Sequence, residues 1–263
     1  MDIGVVGDGP AAEAVEAALG DVDVNAFSVD PSLLDGFDLA VVVATAGPPA
    51  FAAAHERLDG DPAVEVGGVG GVALTDVDAA VTVFEEACYD CLCTRVASGT
   101  TDSSETADAA TGTRSAVRYA GAFAGRAVVQ LLSGGSVGDT VREVPGPTRH
   151  LLGVPGCSCG DVPDAALPRA DRTRSVSAAI DRAERGVDAR IGLLTEVGER
   201  ESFPVPYYVS RLADTTPFSD GSAAAFAGGA ADDWDVAFMK ALGEGLERYA
   251  AGVYDSSAVT TAP

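Results

Sequence analysis

The sequence predicts an α/β fold with a parallel sheet, and three features near the N-terminus carry this prediction. Residues 2–9 are a short apolar run that ends in glycines, and the alanine-rich spacing of a helix follows at residues 10–19. Residues 38–44 are a second, continuous apolar run. Apolar strands separated by helices are typical of a parallel sheet that is covered on both faces.

The other elements before residue 160 are predicted from the same periodicities and from the glycine and proline positions. Short apolar and β-branched runs predict strands at residues 22–29, 63–74 and 141–152. Helical spacing predicts helical segments at residues 31–34, 50–58, 79–96 and 114–132. Small polar residues predict a loop or helix lead-in at residues 98–113, and we expect a tight turn with two cysteines at residues 155–160.

A segment rich in proline and aspartate at residues 163–173 predicts a linker between two domains. The first domain then comprises residues 1–162 and the second comprises residues 174–263. In the second domain, the same rules predict helices at residues 175–185 and 237–249 and strands at residues 191–197 and 204–213.

The charge of the chain limits its partners. Asp and Glu number 40 against 17 Lys and Arg, for a formal net charge of −23 at pH 7. Such a chain is not built to neutralise phosphates, so we expect no nucleic-acid partner. The acids are scattered, which resembles proteins of salt-loving archaea, and we expect folding to depend on salt that screens their repulsion. Short apolar runs and the lack of a secretory signal predict a cytoplasmic protein with no membrane partner.

Residues 7–12 (GDGPAA) have the glycine spacing of a dinucleotide-binding turn, with alanine in the third glycine position. In a working turn, backbone amides and a helix N-terminus receive the pyrophosphate. Here Asp8 puts a negative charge beside the phosphate position, and Pro10 removes one amide. These changes favour a Rossmann-like turn that has lost its nucleotide. The alternative, an oxidoreductase, lacks a convincing acidic partner for a ribose, because Asp30 is only loosely placed after the second strand.

Five cysteines form a second constellation, at Cys88, Cys91, Cys93, Cys157 and Cys159. Cys88 with Cys91 and Cys157 with Cys159 suit a tetrahedral structural Zn²⁺ site, in which each pair supplies two thiolates. Four thiolates would leave no position for a reacting water. Cys93 competes with Cys88 or Cys91 for a ligand position, and free buried thiols or a redox pair are the alternatives to zinc.

A third constellation lies on the predicted helix at residues 237–249. Glu244 and Glu247 are three residues apart and share a helix face, so both carboxylates can approach a single hard cation such as Mg²⁺. Arg248 projects close by, and its planar fork suits phosphate oxygens. Without further context, such an acidic face is usually only solvated.

With its preceding strand, this helix resembles the hallmark of the YcaO family. That hallmark is a small, glycine-containing strand and turn, followed by a helix that carries SxxxExxER. Residues 224–231 (AAFAGGAA) correspond to the strand. Glu244, Glu247 and Arg248 match the last three hallmark positions, and Lys240 stands where the family has Ser.

The resemblance extends backwards over most of the chain. Arg174 and Ser177, with residues 190–194 (RIGLL), look like the opening of the same ATP-binding domain, which implies a nucleotide-binding role for Arg174 and Ser177. Residues 144–147 (VPGP) and the two cysteine pairs look like the cyclodehydratase partner domain that is often fused in front of it. That partner is a degenerate relative of the E1-like fold with a four-cysteine zinc site. The implied architecture is a Rossmann-like domain with zinc, followed by the start of an α+β domain.

The resemblance implies ATP- and Mg²⁺-dependent activation of a peptide backbone amide, which ends in an azoline ring or a thioamide. In the family, further acidic ligands and a proline-rich C-terminus follow later in the chain, so we expect this chain to be partial. The expected partners are a peptide or protein substrate, a polypeptide that supplies the rest of the domain, and a second copy in a homodimer. The alternative function is a non-catalytic adaptor that binds a substrate peptide or a partner subunit.

Overall fold

The structure is a computed structural model that describes residues 1–47, 51, 54, 61–99, 110–160, 174–254 and 256. The chain divides into two compact units, Met1–Val96 with Asp102–Gly153 and Ala97–Thr101 with Val154–Pro263. The predicted linker at residues 163–173 lies outside the described residues.

The first unit contains a seven-stranded sheet and a small hairpin. Its strands are β1 (Asp2–Val6), β2 (Asn25–Val29), β3 (Leu39–Thr45), β4 (Pro62–Val66), β5 (Gly68–Val69), β6 (Val72–Ala73), β7 (Ala79–Val83), β8 (Thr140–Val144) and β9 (Thr148–His150). The order in the large sheet is β2-β1-β3-β4-β7-β8-β9, and β5 pairs with β6. This is a mixed α/β arrangement with a parallel half.

The predicted parallel sheet is confirmed for β2, β1, β3 and β4, which pair in parallel. It is wrong for the other half, because β4–β7, β7–β8 and β8–β9 are antiparallel pairs. A parallel pair needs a crossover of roughly a dozen residues or more. The short connection from Val144 to Thr148 can only form a hairpin, so the extended segment predicted at residues 141–152 folds back on itself.

Helices α1 (Gly9–Leu19) and α3 (Arg114–Leu132) of the first unit pack together on the sheet. Helix α2 (Tyr89–Gly99) lies between them in the sequence. Small residues allow this close packing, because a Cβ at Gly121 would collide with the backbone of Ala11. The apolar faces of both helices join the strands in one core. Its buried residues include Ile3, Val5, Val15, Leu19, Val41, Val43, Val64, Val81, Val117, Ala120, Ala124 and Val128.

Three predictions about helical segments in this unit need comment. The helical turn predicted at residues 31–34 is observed as a 3₁₀ helix, Pro31–Gly36. The helix predicted at residues 79–96 is wrong in its first part, where Ala79–Val83 is a fully buried strand of the sheet. A short, fully apolar run fits a buried strand as well as a buried helix, so periodicity could not separate them. The helix predicted at residues 50–58 lies almost entirely outside the described residues, as does most of the loop predicted at residues 98–113.

The second unit is a three-stranded antiparallel sheet packed against a long helix. Its elements are a short helix α4 (Val176–Glu184), strands β10 (Leu194–Arg200), β11 (Tyr207–Leu212) and β12 (Phe226–Ala230), and helix α5 (Trp234–Ala251). The strands lie in the order β10-β11-β12. Glycines permit close contact with α5, because a Cβ at Gly229 would collide with the backbone of Ala241. Leu194, Leu212 and Leu242 are buried between sheet and helix.

Helix α5 begins at a well-formed cap. The side chain of Asp233 accepts a hydrogen bond from the backbone amide of Val236, at 3.0 Å, which satisfies one of the free amides of the first turn. Asp235 in this turn and Arg248 in the last turn both have the sign that the helix dipole favours. In the described part of the chain, no helix is long and apolar enough to cross a membrane.

Candidate functional site

Four of the five cysteines come together in the structure. The sulfur atoms of Cys88, Cys91, Cys157 and Cys159 all lie within 4.8 Å of one another. Among the described residues, this is the only group of three or more Cys, His, Asp or Glu side chains with its ligand atoms so close together.

The first cysteine pair is held at the start of α2. The backbone carbonyl of Cys88 accepts the amide of Leu92 at 3.1 Å, and Cys91 lies in the first helical turn. The chain that enters this helix is fixed by Asp139, whose carboxylate accepts the backbone amides of Glu85, Glu86 and Ala87 at 2.7, 3.0 and 3.1 Å. Cys88 and Cys91 are both buried.

The second cysteine pair lies on a tight turn, as the sequence predicts. The amide of Cys157 donates to the carbonyl of Val154 at 3.1 Å, and Gly156 has a φ of +81°. Pro155 at the second position and a left-handed glycine at the third are typical of a type II β-turn. A second turn follows, because the amide of Gly160 donates to the carbonyl of Cys157 at 3.1 Å. Cys157 is partly buried and Cys159 is exposed.

The distances between the four sulfurs are compatible with a tetrahedral metal site. A Zn–S bond of about 2.3 Å places the sulfurs of an ideal tetrahedral site about 3.8 Å apart, so separations up to 4.8 Å need only small side-chain adjustments. Two thiolates from a helix start and two from a turn are the donor set expected for structural zinc. Cys93, which competes for a ligand position in the sequence, lies outside the group.

The acidic residues of α5 are arranged differently from the cysteines. The Nε atom of Arg248 donates to the Oε1 atom of Glu244 at 2.6 Å, one helical turn away. Glu247 is exposed, and Glu244 is partly buried. No third acid of the described residues joins Glu244 and Glu247 in a ligand group.

Lys240 is tied to the end of the small-residue strand β12. Its Nζ atom donates to the backbone carbonyl of Ala230, the last residue of β12, at 3.0 Å. The lysine therefore links helix α5 to strand β12.

Arg174 and Ser177 lie at the start of α4 and are both exposed. Ser175 caps this helix, since its hydroxyl accepts the amide of Ala178 at 3.2 Å. The hydroxyl of Ser177 lies 3.1 Å from that of Ser175. The structure thus places both candidate residues beside a helix N-terminus, a location that favours anions.

The glycine turn at residues 7–12 borders a cavity of about 610 Å³. The cavity lies where β1, β3 and β4 end, and its lining includes Gly7, Asp8, Thr45 and Arg114. Gly7 has a φ of +101°, and a Cβ there would collide with the carbonyl oxygen of Val43, so only glycine fits. Asp8 precedes α1 but makes no side-chain hydrogen bond to its amides.

The sequence matches no family model and no curated protein. Among solved structures, the fold is similar to that of a heterocyclase in complex with substrate and cofactor. That similarity has a TM-score of 0.60 at 16% sequence identity and covers 97% of this chain and 40% of that chain. A structure of the heterocyclase TruD has a TM-score of 0.45 at 15% identity, over 74% of this chain and 33% of that chain. This chain therefore shares its fold with a part of the first protein and spans 40% of that protein's chain.

A buried carboxylate close to Cys93 was not predicted from the sequence. Glu65 on β4 accepts the backbone amides of Gly70 and Gly71 at 2.7 and 2.8 Å and the hydroxyl of Tyr89 at 3.0 Å. Burial raises the pKa of Glu65, and these hydrogen bonds oppose that shift. An acid in the middle of the apolar strand PAVEV, followed by glycines, was the signal that could have revealed it.

Cys93 belongs to this second group and not to the four-sulfur cluster. Burial, together with the charge of Glu65, raises the pKa of the Cys93 thiol to about 12. Burial also raises the pKa of the Tyr89 hydroxyl, with a contribution from Glu65. A thiol with so high a pKa stays protonated at neutral pH, which makes it a poor metal ligand and a poor nucleophile.

Proposed function

We propose that this chain is part of an ATP- and Mg²⁺-dependent enzyme of the YcaO type that activates peptide backbone amides. The observation that carries the proposal is the fold similarity to a heterocyclase over 97% of the chain. The match of Glu244, Glu247 and Arg248 to the hallmark of that family supports it independently. The product is an azoline ring or a thioamide in a modified peptide.

In this proposal, a nucleophile adds to the peptide carbonyl carbon, and the carbonyl oxygen becomes an oxyanion. The nucleophile is a Cys, Ser or Thr side chain of the substrate for the azoline and an external sulfur donor for the thioamide. ATP would supply the phosphoryl group that converts this oxygen into a leaving group, which departs as phosphate. Glu244 and Glu247 would hold Mg²⁺, and Arg248 would neutralise charge on phosphate oxygens. Arg174 and Ser177 contribute to nucleotide binding from the exposed start of α4.

The cysteine cluster has a structural role in this proposal. Cys88, Cys91, Cys157 and Cys159 would hold Zn²⁺ with four thiolates, which leaves no open position for a reacting water. The first unit would then be a Rossmann-like, E1-like partner domain whose glycine turn has lost its nucleotide. Asp8, which lines the cavity at that turn, would repel a phosphate, in agreement with this loss.

The partners follow from the same proposal. A peptide or protein is the substrate, and a further polypeptide segment completes the ATP-binding domain, since the chain spans 40% of the heterocyclase chain. A homodimer is compatible with this arrangement.

A non-catalytic adaptor is the second candidate, and one observation favours it. The carboxylate of Glu244 is engaged by Arg248, and no third acid of the described residues gathers beside Glu244 and Glu247. A cation held by one or two carboxylates alone would need its other ligands from water, nucleotide or another segment.

A calorimetric titration with Mg-ATP separates the two functions. We expect the wild type to bind, and Glu244→Gln or Glu247→Gln to weaken binding at least tenfold, because each removes a charged ligand of the cation. Asp235→Asn, at the opposite end of the same helix, is the matched control and should bind as the wild type does. No binding by the wild type, or equal binding by all four proteins, would favour the adaptor.

A further inference from the structure

Helix α2 carries a buried arginine, Arg95, on the same side as the two cysteines at its start. Cys88, Cys91 and Arg95 are spaced at i, i+3 and i+7, which puts them on one side of a helix. All three are buried, and Arg95 is only 1% exposed. A guanidinium cannot lose its charge in a protein, so its burial requires strong hydrogen-bond acceptors.

Arg95 finds these acceptors on the segment that leads to the second cysteine pair. Its Nε atom donates to the carbonyl of Leu152 at 3.0 Å, and its Nη2 atom donates to the carbonyl of Gly153 at 2.6 Å. The turn that begins at Val154 and ends at Cys157 follows at once. Two consecutive carbonyls are thus held by one planar group immediately before the turn that presents a cluster thiol.

The chain between this anchor and the thiol has little freedom. Pro155 restricts its own φ, and Gly156 occupies the left-handed conformation that the turn requires. A displacement of Leu152 and Gly153 would therefore be passed on to Cys157.

We propose that Arg95 is a positioning residue for the cysteine cluster. It holds the backbone that leads to Cys157 and Cys159 against the start of helix α2, where Cys88 and Cys91 lie. This inference rests on the proposed zinc site. Arg95 does not contact the metal in this role. Its planar fork matters as much as its charge, because two separate carbonyls must be held at once, which a lysine ammonium does less well.

The test compares the Zn²⁺ affinity of the wild type with that of Arg95→Lys and Arg95→Gln. Affinity is measured by competition with a chromophoric chelator, at a salt concentration at which the wild type is folded. Arg118→Lys makes the same chemical change at an exposed ion pair with Glu13 and is the control. We expect about a tenfold or larger loss of affinity for both Arg95 variants, the range seen for residues that orient metal ligands. The control should bind zinc as the wild type does.

Cobalt substitution and metal-free stability separate positioning from a general structural role. Positioning predicts that Co²⁺ in the Arg95 variants loses the strong d–d bands of a four-thiolate tetrahedral site. A role only in folding would lower the melting temperature of the metal-free and metal-loaded protein equally and leave affinity and spectrum unchanged, which would overturn the inference. If the wild type binds no Zn²⁺ through four thiolates, the proposed zinc site itself fails.

A second variant keeps the inference testable if the Arg95 variants do not fold. Gly156 and Gly134 both have a positive φ, at +81° and +73°, and both have open space where a Cβ would lie. Gly156→Ala strains the turn that joins the Arg95 anchor to Cys157, and Gly134→Ala applies a similar strain after α3. We expect only Gly156→Ala to weaken Zn²⁺ binding, and equal affinity of the two variants would contradict positioning through this segment.

Discussion

The Nε atom of Arg248 lies 2.6 Å from the Oε1 atom of Glu244, so a candidate phosphate ligand and a candidate magnesium ligand pair with each other on α5. Both side chains are substantially exposed, at 50% and 39%. An exposed pair of this kind contributes roughly 0.3–0.5 kcal/mol to stability, little enough for a ligand to rearrange it. In the proposed function, this pair would be the arrangement of the two side chains before the nucleotide binds.

Arg248→Gln should separate the two proposed roles. Removal of the guanidinium frees the Glu244 carboxylate, so we expect Mn²⁺ alone to bind the variant more tightly than it binds the wild type. Mg-ATP should bind at least tenfold more weakly, because a phosphate contact is lost. Electron paramagnetic resonance measures the first and calorimetry the second. A parallel loss, or no change, in both affinities would contradict the assigned roles.

Glu65 should make stability depend on pH. Because its folded pKa is raised above the usual 4.5, its favourable contribution is complete below about pH 4.5 and is lost as the pH rises through the folded value. Glu65→Gln should remove this dependence and cost about 1–3 kcal/mol at acidic pH, since a backbone amide of Gly70 or Gly71 loses a carboxyl oxygen as its acceptor.

The measurement for Glu65 is the free energy of unfolding of both proteins between pH 4 and pH 8 at constant salt. The difference between wild type and variant should shrink as the pH rises, because only the wild type must bury a charge. Glu199→Gln on the exposed part of β10 is the matched control and should leave the pH profile unchanged. A difference that grows with pH would mean that the sign of the Glu65 shift is wrong.

Thiol reactivity should divide the cysteines into two classes. After chelation of metal, we expect iodoacetamide to modify Cys159 and Cys157 first, because Cys88 and Cys91 are buried. Cys93, with a pKa of about 12, should react on the order of a thousandfold more slowly at pH 8 than an exposed thiol. Peptide mapping by mass spectrometry gives the order. Early modification of Cys93 in folded protein would refute its protected position beside Glu65 and Tyr89.

Two glycines on α5 should respond to alanine in opposite directions. A Cβ at Gly245 would lie 2.6 Å from Ser210 Oγ and 2.9 Å from Leu194 Cδ2, so we expect Gly245→Ala to destabilise by about 1–3 kcal/mol. At Gly243 the nearest atom is Met239 Cε at 3.8 Å, and alanine should stabilise by up to about 1 kcal/mol through helix propensity. Thermal and urea unfolding of both variants give the comparison, and two changes of the same sign would contradict the packing of α5 on the sheet.

Salt should stabilise the protein. With a net charge of −23, self-repulsion opposes the compact state until ions screen it. We expect the melting temperature to rise between about 0.2 M and about 2 M KCl, since the screening length falls to roughly 3 Å near 1 M. Sucrose at equal osmolality is the control for general exclusion effects. A melting temperature independent of KCl would rule out charge repulsion as the main cause of salt-dependent folding.

Local patterns were sufficient for much of the secondary structure. The helix predicted at residues 114–132 is observed as Arg114–Leu132, and the strand, turn and helix at the N-terminus are observed as β1 and α1. Hydrophobic periodicity and glycine positions determine local structure within a few residues, so these elements can be predicted from the sequence alone. Periodicity could not decide that Ala79–Val83 is a strand, because a short buried run has no distinguishing period.

The amino-acid sequence was enough to identify the candidate functional groups: two cysteine pairs, an acidic helix and an altered glycine turn. Which of these groups lie close together follows from the packing of the folded chain. It brought four sulfurs within 4.8 Å and left Cys93 beside Glu65, and it joined Arg95 to Leu152 and Gly153. These contacts link residues far apart in the chain, and their formation depends on how sheet, helix and turn pack, which no local pattern contains.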